Sequence, residues 1–210
     1  MNYFITGIGT NVGKTVVAAI LTEALQADYW KPIQSGTLEG KDSDTVKSLI
    51  SNSKTFFHPE AYLLKEPLSP HFAAKLDGVI IELDKIQLPE RLTRVEANNH
   101  LIIEGAGGLL VPINKTQYVI DIAKKFECEI ILVISNYLGC INHSLLSIDY
   151  LIKNKFKLTA LVFNGEFDSE VKQSIIDYVP QVKVIEIPTL KTLSKPNISD
   201  SAINVRNQFL

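Results

Sequence analysis

Apolar residues along the chain fall into short continuous runs that alternate with longer stretches of helical periodicity. This alternation is typical of parallel strands joined by helical crossovers, so it predicts an α/β fold with a mostly parallel sheet flanked by helices. The run Ile130–Ile134 is apolar at every position, which predicts a strand covered on both faces. The predicted strands are Asn2–Thr6, Ala27–Pro32, His100–Glu104, Glu129–Ser135, Lys157–Asn164 and Gln181–Ile187.

Helical periodicity follows most of these runs, and several of the helical stretches begin with Asp or Ser at a capping position. The segment 53–78 contains Pro59, Pro67 and Pro70, and it is predicted to be a structured excursion without regular elements. We expect one domain over 1–210, because no linker, repeat or low-complexity tract divides the chain. The predicted helices are Gly13–Gln26, Ser43–Ser51, Leu83–Val95, Val119–Phe126, Ile141–Lys153 and Ser169–Tyr178.

Composition and charge narrow the class of protein. Of 210 residues, 46% are hydrophobic and 21% are charged, as in ordinary globular proteins and unlike disordered chains. The formal charge of −2 offers no basic field for nucleic acid. No apolar run approaches the ~18 residues of a membrane span, and no signal peptide pattern opens the sequence, so we expect a cytoplasmic protein. Cys128 and Cys140 lack the spacing of metal ligands, so no zinc site is expected.

The strongest chemical signal is the glycine-rich segment Gly7–Thr15, which lies between the first predicted strand and the first predicted helix. Backbone N–H groups of such a loop, together with the helix N-terminus, form a site for phosphate. Lys14 is placed to reach terminal phosphates, and the Thr15 hydroxyl is a ligand type suited to Mg²⁺. The sequence therefore predicts a P-loop, and with it a P-loop NTPase-like fold.

This loop departs from the strict P-loop pattern at one position, because Ile8 stands where that pattern has its first glycine. Nucleotide-dependent partitioning ATPases of the deviant P-loop type carry a second lysine five residues before the P-loop lysine. The corresponding residue here is Gly9. A switch ATPase similar to MinD or ParA is therefore the alternative function, and Gly9 argues against it.

Charged residues follow two other predicted strands. Glu104 ends a buried strand at the sheet edge where α/β proteins bind ligands, and a carboxylate there favours Mg²⁺ ligation with Thr15 over a salt bridge. Lys31 emerges from the second strand at the same edge. Asp44 opens a helix, and its sequence leaves a metal-ligand role and a helix N-terminal acid equally open.

Motifs along most of the chain resemble those of the dethiobiotin synthetase family. They are TGIGTNVGKT at Thr6–Thr15, KPIQSG at Lys31–Gly36, DSD at Asp42–Asp44, EPLSPH at Glu66–His71, EGAGGLLVP at Glu104–Pro112, LGCINHS at Leu138–Ser144 and EIPTL at Glu186–Leu190. The resemblance implies a cytoplasmic homodimer that uses Mg²⁺, ATP, CO₂ and 7,8-diaminopelargonate to make dethiobiotin. The reaction proceeds through a carbamate and a carbamic-phosphoric anhydride, and it demands orientation and charge neutralisation more than covalent catalysis.

The resemblance also implies site residues. Thr10, Lys14 and Lys31 would serve catalysis at the carbamate and the transferred phosphoryl group, and Thr15, Asp44 and Glu104 would hold Mg²⁺. The residues implied for nucleotide binding are Asn11, Val12, Gly13, Lys14, Thr15, Val16, Asp44, Glu104, Gly105, Ala106, Gly107, Asn164, Gly165, Pro188, Thr189 and Leu190. Those implied for substrate binding are Thr10, Lys31, Ser35, Gly139, Cys140, Ile141 and Asn142, the last four acting across the dimer interface through helix N–H groups.

Two residues differ from the pattern that the resemblance implies. Asn11 stands at a position that is often glutamate, and Gly165 follows Asn164 where aspartate is usual. The second difference predicts that ATP is not strongly preferred over other nucleoside triphosphates. An amidating synthetase is a further alternative, but 210 residues leave no room for a glutaminase domain.

Overall fold

A computed structural model describes residues 1–89 and 99–209. The strands are β1 (Asn2–Gly7), β2 (Asp28–Trp30), β3 (Ile33–Ser35), β4 (Phe57–His58), β5 (Tyr62–Leu64), β6 (Leu101–Gly108), β7 (Glu129–Ser135), β8 (Leu158–Asn164) and β9 (Lys183–Ile187). The α-helices are α1 (Lys14–Leu25), α2 (Asp42–Leu49), α3 (Pro70–Leu76), α4 (Val119–Lys125), α5 (Cys140–Lys153), α6 (Ser169–Ile176) and α7 (Lys195–Phe209). Short 3-10 helices span Thr37–Glu39 and Leu83–Lys85.

The described residues form a seven-stranded sheet in the order β4-β2-β6-β1-β7-β8-β9. Every pairing in this sheet is parallel. Ile130–Ile134 of β7 are fully buried, as their unbroken apolar sequence predicts. The α/β class and the mostly parallel sheet are thus confirmed. Within the same described residues, no helix has the length and apolar character needed to cross a bilayer.

The proline-containing segment 53–78 has more regular structure than the sequence predicts. It contains β4, which joins the edge of the main sheet, β5, which pairs in parallel with β3, and helix α3. The prolines occupy places that proline tolerates, because Pro59 follows a strand and Pro70 is the first residue of a helix. The prediction that regular elements are absent here was wrong.

The helix predicted at Leu83–Val95 does not begin at Leu83. Residues 83–85 form a 3-10 helix and 86–89 are irregular, while 90–95 lie outside the described residues. Lys125 explains the short turn, because its Nζ donates hydrogen bonds to the carbonyl oxygens of Leu83, Asp84 and Ile86. Ile86 is fully buried directly after it.

Outside segment 53–78, β3 and α7 are further elements that the sequence-based prediction lacks. The second predicted strand ends early, at Trp30, and β3 begins after Pro32 in a separate two-stranded sheet with β5. Helix α7 packs along α1 and buries Ile198, Ala202 and Val205. These residues follow helical spacing in an otherwise polar segment.

The strand order places the candidate functional residues at one edge of the sheet. Strands β2, β6 and β1 are adjacent and parallel, so their carboxyl ends meet. Lys31 follows β2, Glu104 lies within β6, and the glycine-rich loop follows β1. Three segments that are far apart in sequence therefore converge on one site.

The packing of α7 leads to a prediction for stability. Ile198→Ala should lower the free energy of unfolding by about 2 to 5 kcal/mol, because it removes a fully buried side chain at the contact with the rest of the core. Chemical denaturation monitored by circular dichroism measures this change. Ile203→Ala on the same helix is the control, since Ile203 is 61% exposed and its loss should change stability by no more than ~0.5 kcal/mol. Equal effects of the two substitutions would contradict the packing.

Candidate active site

The Lys14 side chain folds back over the glycine-rich loop that carries it. Lys14 Nζ donates a hydrogen bond to the Gly9 carbonyl oxygen at 2.9 Å, and the Lys14 side chain is buried. Burial lowers the pKa of Lys14 to about 8, although the nearby Glu104 carboxylate acts in the opposite direction. A buried cation with one neutral carbonyl acceptor is a strong attractor for an anionic ligand.

Gly13 is required by its backbone conformation and by its neighbour. Its φ of +92° lies in the left-handed region, and it is the N-cap of α1. A Cβ at this position would lie 2.0 Å from Asn164 Nδ2. Asn164 Nδ2 donates to the Val12 carbonyl oxygen at 3.0 Å, so the end of β8 directly supports the loop.

Ile8 explains how the loop differs from the strict P-loop pattern. Its N–H donates to the Val133 carbonyl oxygen at 3.1 Å, and its side chain is buried. This residue therefore continues the pairing of β1 with β7, and the free turn begins at Gly9. An apolar side chain is suited to that position in the sheet.

Glu104 is the centre of a buried polar cluster. Its Oε1 accepts hydrogen bonds from Thr15 Oγ1 at 2.9 Å and from Lys31 Nζ at 3.0 Å. Its Oε2 accepts a hydrogen bond from the Tyr29 hydroxyl at 2.7 Å. Glu104 is 1% exposed, and these three donors satisfy the buried carboxylate.

Lys31 forms a second ion pair, with the Asp42 carboxylate. Burial lowers the pKa of Lys31, but Glu104 and Asp42 outweigh burial, and the net pKa lies above the ordinary value. Lys31 is therefore a fixed cation in the site. Asp42 is itself positioned by α2, where its N–H donates to Gln34 Oε1 at 2.9 Å.

The two aspartates of the DSD motif point in different directions. Asp42 contacts Lys31, whereas the Asp44 side chain is 69% exposed and lies 4.0 Å from Lys41 Nζ. Residues two apart on a helix face different sides, so the first turn of α2 brings only one of the pair to the cluster. The structure does not bring Asp44 together with Thr15 and Glu104, and its metal-binding role stays a prediction.

The donor set at this point fits Mg²⁺. Mg²⁺ prefers oxygen ligands, and at nucleotide sites it takes one or two from the protein and the rest from phosphates and water. Thr15 Oγ1 and Glu104 Oε1 are adjacent oxygens of that kind. Across the described ranges, no three carboxylate, imidazole or thiol side chains cluster as a complete protein cage. The arrangement suits a metal that arrives with a phosphate ligand.

A cavity of about 830 Å³ opens over this cluster. Its walls include most of the predicted loop and strand-end residues, which are Thr10, Asn11, Gly13, Lys14, Thr15, Val16, Lys31, Ser35, Glu104, Ala106 and Gly107. Ser35 Oγ is buried and has no hydrogen-bond partner in the described structure. Such an atom at a cavity wall is available for a polar group of a ligand.

A second groove, of about 480 Å³, begins beside Thr10. Its apolar lining includes Leu110 and Leu146, which are 48% and 62% exposed. The cavity over Glu104 therefore has an apolar groove beside it.

The segment Gly139–Asn142 begins helix α5. Gly139 is the N-cap, with φ +104°, and Cys140 is 3% exposed. The Cys140 N–H already donates to the Tyr137 carbonyl oxygen at 2.9 Å. The N–H groups of Ile141 and Asn142 lie in the first turn, where intrahelical acceptors are lacking. These two are the better donors for an anion at this position.

The residues predicted for the nucleobase lie at the ends of β8 and β9. The Gly165 N–H donates to the Ile187 carbonyl oxygen at 2.8 Å, and a Cβ at Gly165 would lie 3.5 Å from Thr189 Oγ1. Pro188 lines a separate cavity of about 280 Å³ against α7. Asn164 joins this region to the phosphate loop through Val12.

Sequence reasoning missed Tyr29 and Asp42. Tyr29 lies two residues before Lys31, and strand alternation directs such a pair to the same side, so a signal for Tyr29 was present. Asp42 belongs to a motif in which either aspartate is chemically suitable. The choice between Asp42 and Asp44 depends on the direction of α2, which sequence does not specify.

Solved structures with the same fold place the chain in a general class. It superposes on a ParA family ATPase from Chlorobium tepidum TLS with a TM-score of 0.57, at 12% identity, covering 96% of this chain and 98% of that one. The septum site-determining protein MinD from Pyrococcus horikoshii OT3, solved with Mg-ADP, gives a TM-score of 0.55 at 15% identity, with 98% and 96% covered. The fold and the loop define a P-loop NTPase-like α/β protein.

Sequence relatives define the family more closely. A family model described as an AAA domain matches residues 1–197. The ATP-dependent dethiobiotin synthetase BioD of Cytophaga hutchinsonii is 44% identical over 97% of this chain and 96% of its own length. The enzyme of the same name from Christiangramia forsetii is 46% identical, with 88% and 85% covered. The chain belongs to the ATP-dependent dethiobiotin synthetase family.

Proposed function

We propose that this protein is a Mg²⁺-dependent ligase that converts 7,8-diaminopelargonate, CO₂ and ATP to dethiobiotin, ADP and phosphate in biotin biosynthesis. The observation that carries the proposal is the pair of buried lysines at one cavity, Lys14 on the phosphate loop and Lys31 beside Glu104. Two fixed cations suit a reaction in which negative charge moves between a nucleotide and an acceptor. The full-length similarity to ATP-dependent dethiobiotin synthetases supports the substrates.

The reaction has three balanced steps. One substrate amine adds to CO₂ and loses a proton, which gives a carbamate. A carbamate oxygen then attacks the γ-phosphorus, the bond to the β-phosphate oxygen breaks, and ADP leaves with its electron pair. The second amine attacks the carbonyl carbon of the mixed anhydride, phosphate departs with the electron pair of the broken C–O bond, the attacking nitrogen loses a proton, and the ureido ring closes. None of these steps requires a covalent bond to the protein.

The side chains around the cavity have separate roles in this scheme. Lys14 binds the β- and γ-phosphates, since it exchanges the Gly9 carbonyl for a charged acceptor. Lys31 lies between the carbamate and the transferred group, where Glu104 holds it. Thr10 contacts the carbamate end, and the unpaired Ser35 hydroxyl receives the substrate nitrogen. Orientation by these groups is the main catalytic effect.

Thr15 and Glu104 would hold Mg²⁺, and Asp44 stays a proposed further ligand. When bound, the ion would supply neutralisation of charge on the phosphates. Val12, Gly13 and Val16 contact the nucleotide at the start of α1, and Gly105, Ala106 and Gly107 do so at the end of β6. Asn164 and the loop Pro188–Leu190 surround the base. At the position after Asn164, Gly165 supplies no carboxylate to select a base.

A homodimer completes the substrate site in this proposal. The groove beside Thr10 takes the aliphatic chain of diaminopelargonate, and the N–H groups of Ile141 and Asn142 from a second copy bind its carboxylate. Leu138 has a fully exposed side chain, and Leu110 and Leu146 are also exposed. Apolar residues exposed beside a site suit an interface.

A switch ATPase is the competing function. The ParA and MinD structures share only the fold at 12–15% identity, and Gly9 stands where that class has its second lysine. The family relationship favours the ligase. Cytoplasmic location stays a prediction.

Product formation tests the proposal directly. Purified protein incubated with diaminopelargonate, bicarbonate, Mg²⁺ and ATP should yield dethiobiotin by mass spectrometry. Parallel reactions with GTP, CTP and UTP should give rates within about tenfold of the ATP rate, because base contacts without a charged partner discriminate weakly. A larger preference for ATP would contradict the role given to Gly165. If folded protein binds nucleotide but gives no product with any triphosphate, the ligase function is wrong.

Substitution of the two lysines should separate nucleotide binding from turnover. Lys14→Ala should weaken ATP binding by roughly tenfold or more, because a charge-assisted phosphate contact is lost. Lys31→Ala should lower kcat by about a hundredfold with ATP affinity largely unchanged. Calorimetry and steady-state kinetics measure the two effects. The exposed Lys47→Ala on α2 is the control, and equal losses of affinity in both test variants would refute the division.

The proposed interface has its own test. Wild-type protein should sediment as a dimer, and Leu138→Arg should shift it toward the monomer, since a charge replaces a fully exposed leucine at the proposed contact. Activity should fall with dimer content. Ile203→Arg, at an exposed site on α7, should leave both properties unchanged. A monomeric and active wild-type protein would exclude the dimer.

A further inference from the structure

Among the three hydrogen-bond donors to Glu104 in the described structure, Tyr29 is the one that does not itself line the cavity. It is fully buried in β2, and its ring packs 5.6 Å from that of Phe57 on the neighbouring edge strand. Its hydroxyl donates to Glu104 Oε2 at 2.7 Å.

The two oxygens of Glu104 have different surroundings. Oε1 receives Thr15 and Lys31, which belong to the cavity wall. Oε2 receives only Tyr29 in the described structure, on the side of the sheet interior. A carboxylate rotates about its last bond unless both oxygens are held, so the Tyr29 hydroxyl fixes the plane of the carboxylate and keeps the other oxygen beside the phosphate loop.

We propose that Tyr29 is a positioning residue, which anchors Glu104 through Oε2 so that Oε1 is presented beside Thr15 as a ligand for Mg²⁺ carried by the nucleotide. This inference rests on the proposed function in one respect, namely that the cavity binds a nucleotide together with Mg²⁺. Second partners of metal-binding carboxylates commonly set their orientation and affinity.

Register places Tyr29 where it can do this and provides a matched control. Tyr29 pairs with Ile102 of β6, and Glu104 lies two residues further along that strand, on the same side. Strand β1 flanks β6 on the edge opposite to β2, and its residue Tyr3 pairs with the same Ile102. The Tyr3 ring packs against Phe209, 5.1 Å away, and so belongs to a different cluster.

Calorimetric binding of ATPγS, with Mg²⁺ or with EDTA, tests the inference. Tyr29→Phe should weaken binding in Mg²⁺ by about tenfold and leave binding in EDTA unchanged, because only the metal contact depends on the orientation of Glu104. Tyr3→Phe should change neither affinity. Equal weakening of Tyr29→Phe in both solutions, or no change in either, would overturn the proposal.

A double-mutant cycle provides the second measurement. In a Glu104→Gln background, adding Tyr29→Phe should change the affinity in Mg²⁺ by less than about twofold, since the tyrosine acts through the carboxylate. A full additional loss would show that Tyr29 acts elsewhere and would overturn the proposal. These assays require no turnover. A wild-type protein that binds Mg²⁺-ATPγS but makes no dethiobiotin would therefore refute the proposed function and leave this test intact.

Discussion

The buried Glu104 carboxylate is the constraint on which the site depends. An ionised carboxyl group at 1% exposure is unfavourable unless donors surround it, and here the donors come from two segments that are distant from it in sequence. Thr15 lies in the first turn of α1, whereas Tyr29 lies in β2 and Lys31 directly follows that strand. The strand order β2-β6-β1 brings these segments together, so the donors that surround the buried carboxylate depend on the topology of the sheet.

The same cluster keeps the site organised before a ligand arrives. Glu104 and Asp42 neutralise Lys31, while Lys14 is held by the neutral Gly9 carbonyl. Lys14 is thus the cation with the weaker partner, and its burial lowers its pKa to about 8. In the proposed reaction a phosphate oxygen would replace the Gly9 contact, and Lys31 would stay paired with Glu104 and Asp42. Preorganisation of this kind limits the rearrangement that accompanies charge transfer.

Sequence patterns predicted the parts of the fold that follow from local rules. The strand over Glu129–Ser135 is apolar on both faces, and the loop before Lys14 combines glycines with a strand-to-helix junction. Helix α3 was missed because Pro70 was interpreted as a breaker, although proline suits the first helical turn. The orientation of Asp42 and the contact of Tyr29 with Glu104 depend on how distant segments meet, and no local pattern contains that information.

The second lysine of the site, Lys31, lies outside the phosphate loop. Gly9 contributes only a backbone carbonyl to the loop, so the phosphate loop itself supplies a single lysine. The other cation comes from the end of β2, where a protein carboxylate in the neighbouring strand holds it. Lys31 is therefore held at this cavity by residues of the same protein. The Ser35 hydroxyl lines the same cavity and is open to a ligand. That geometry suits the proposed transfer of a phosphoryl group to a small molecule bound in the same cavity.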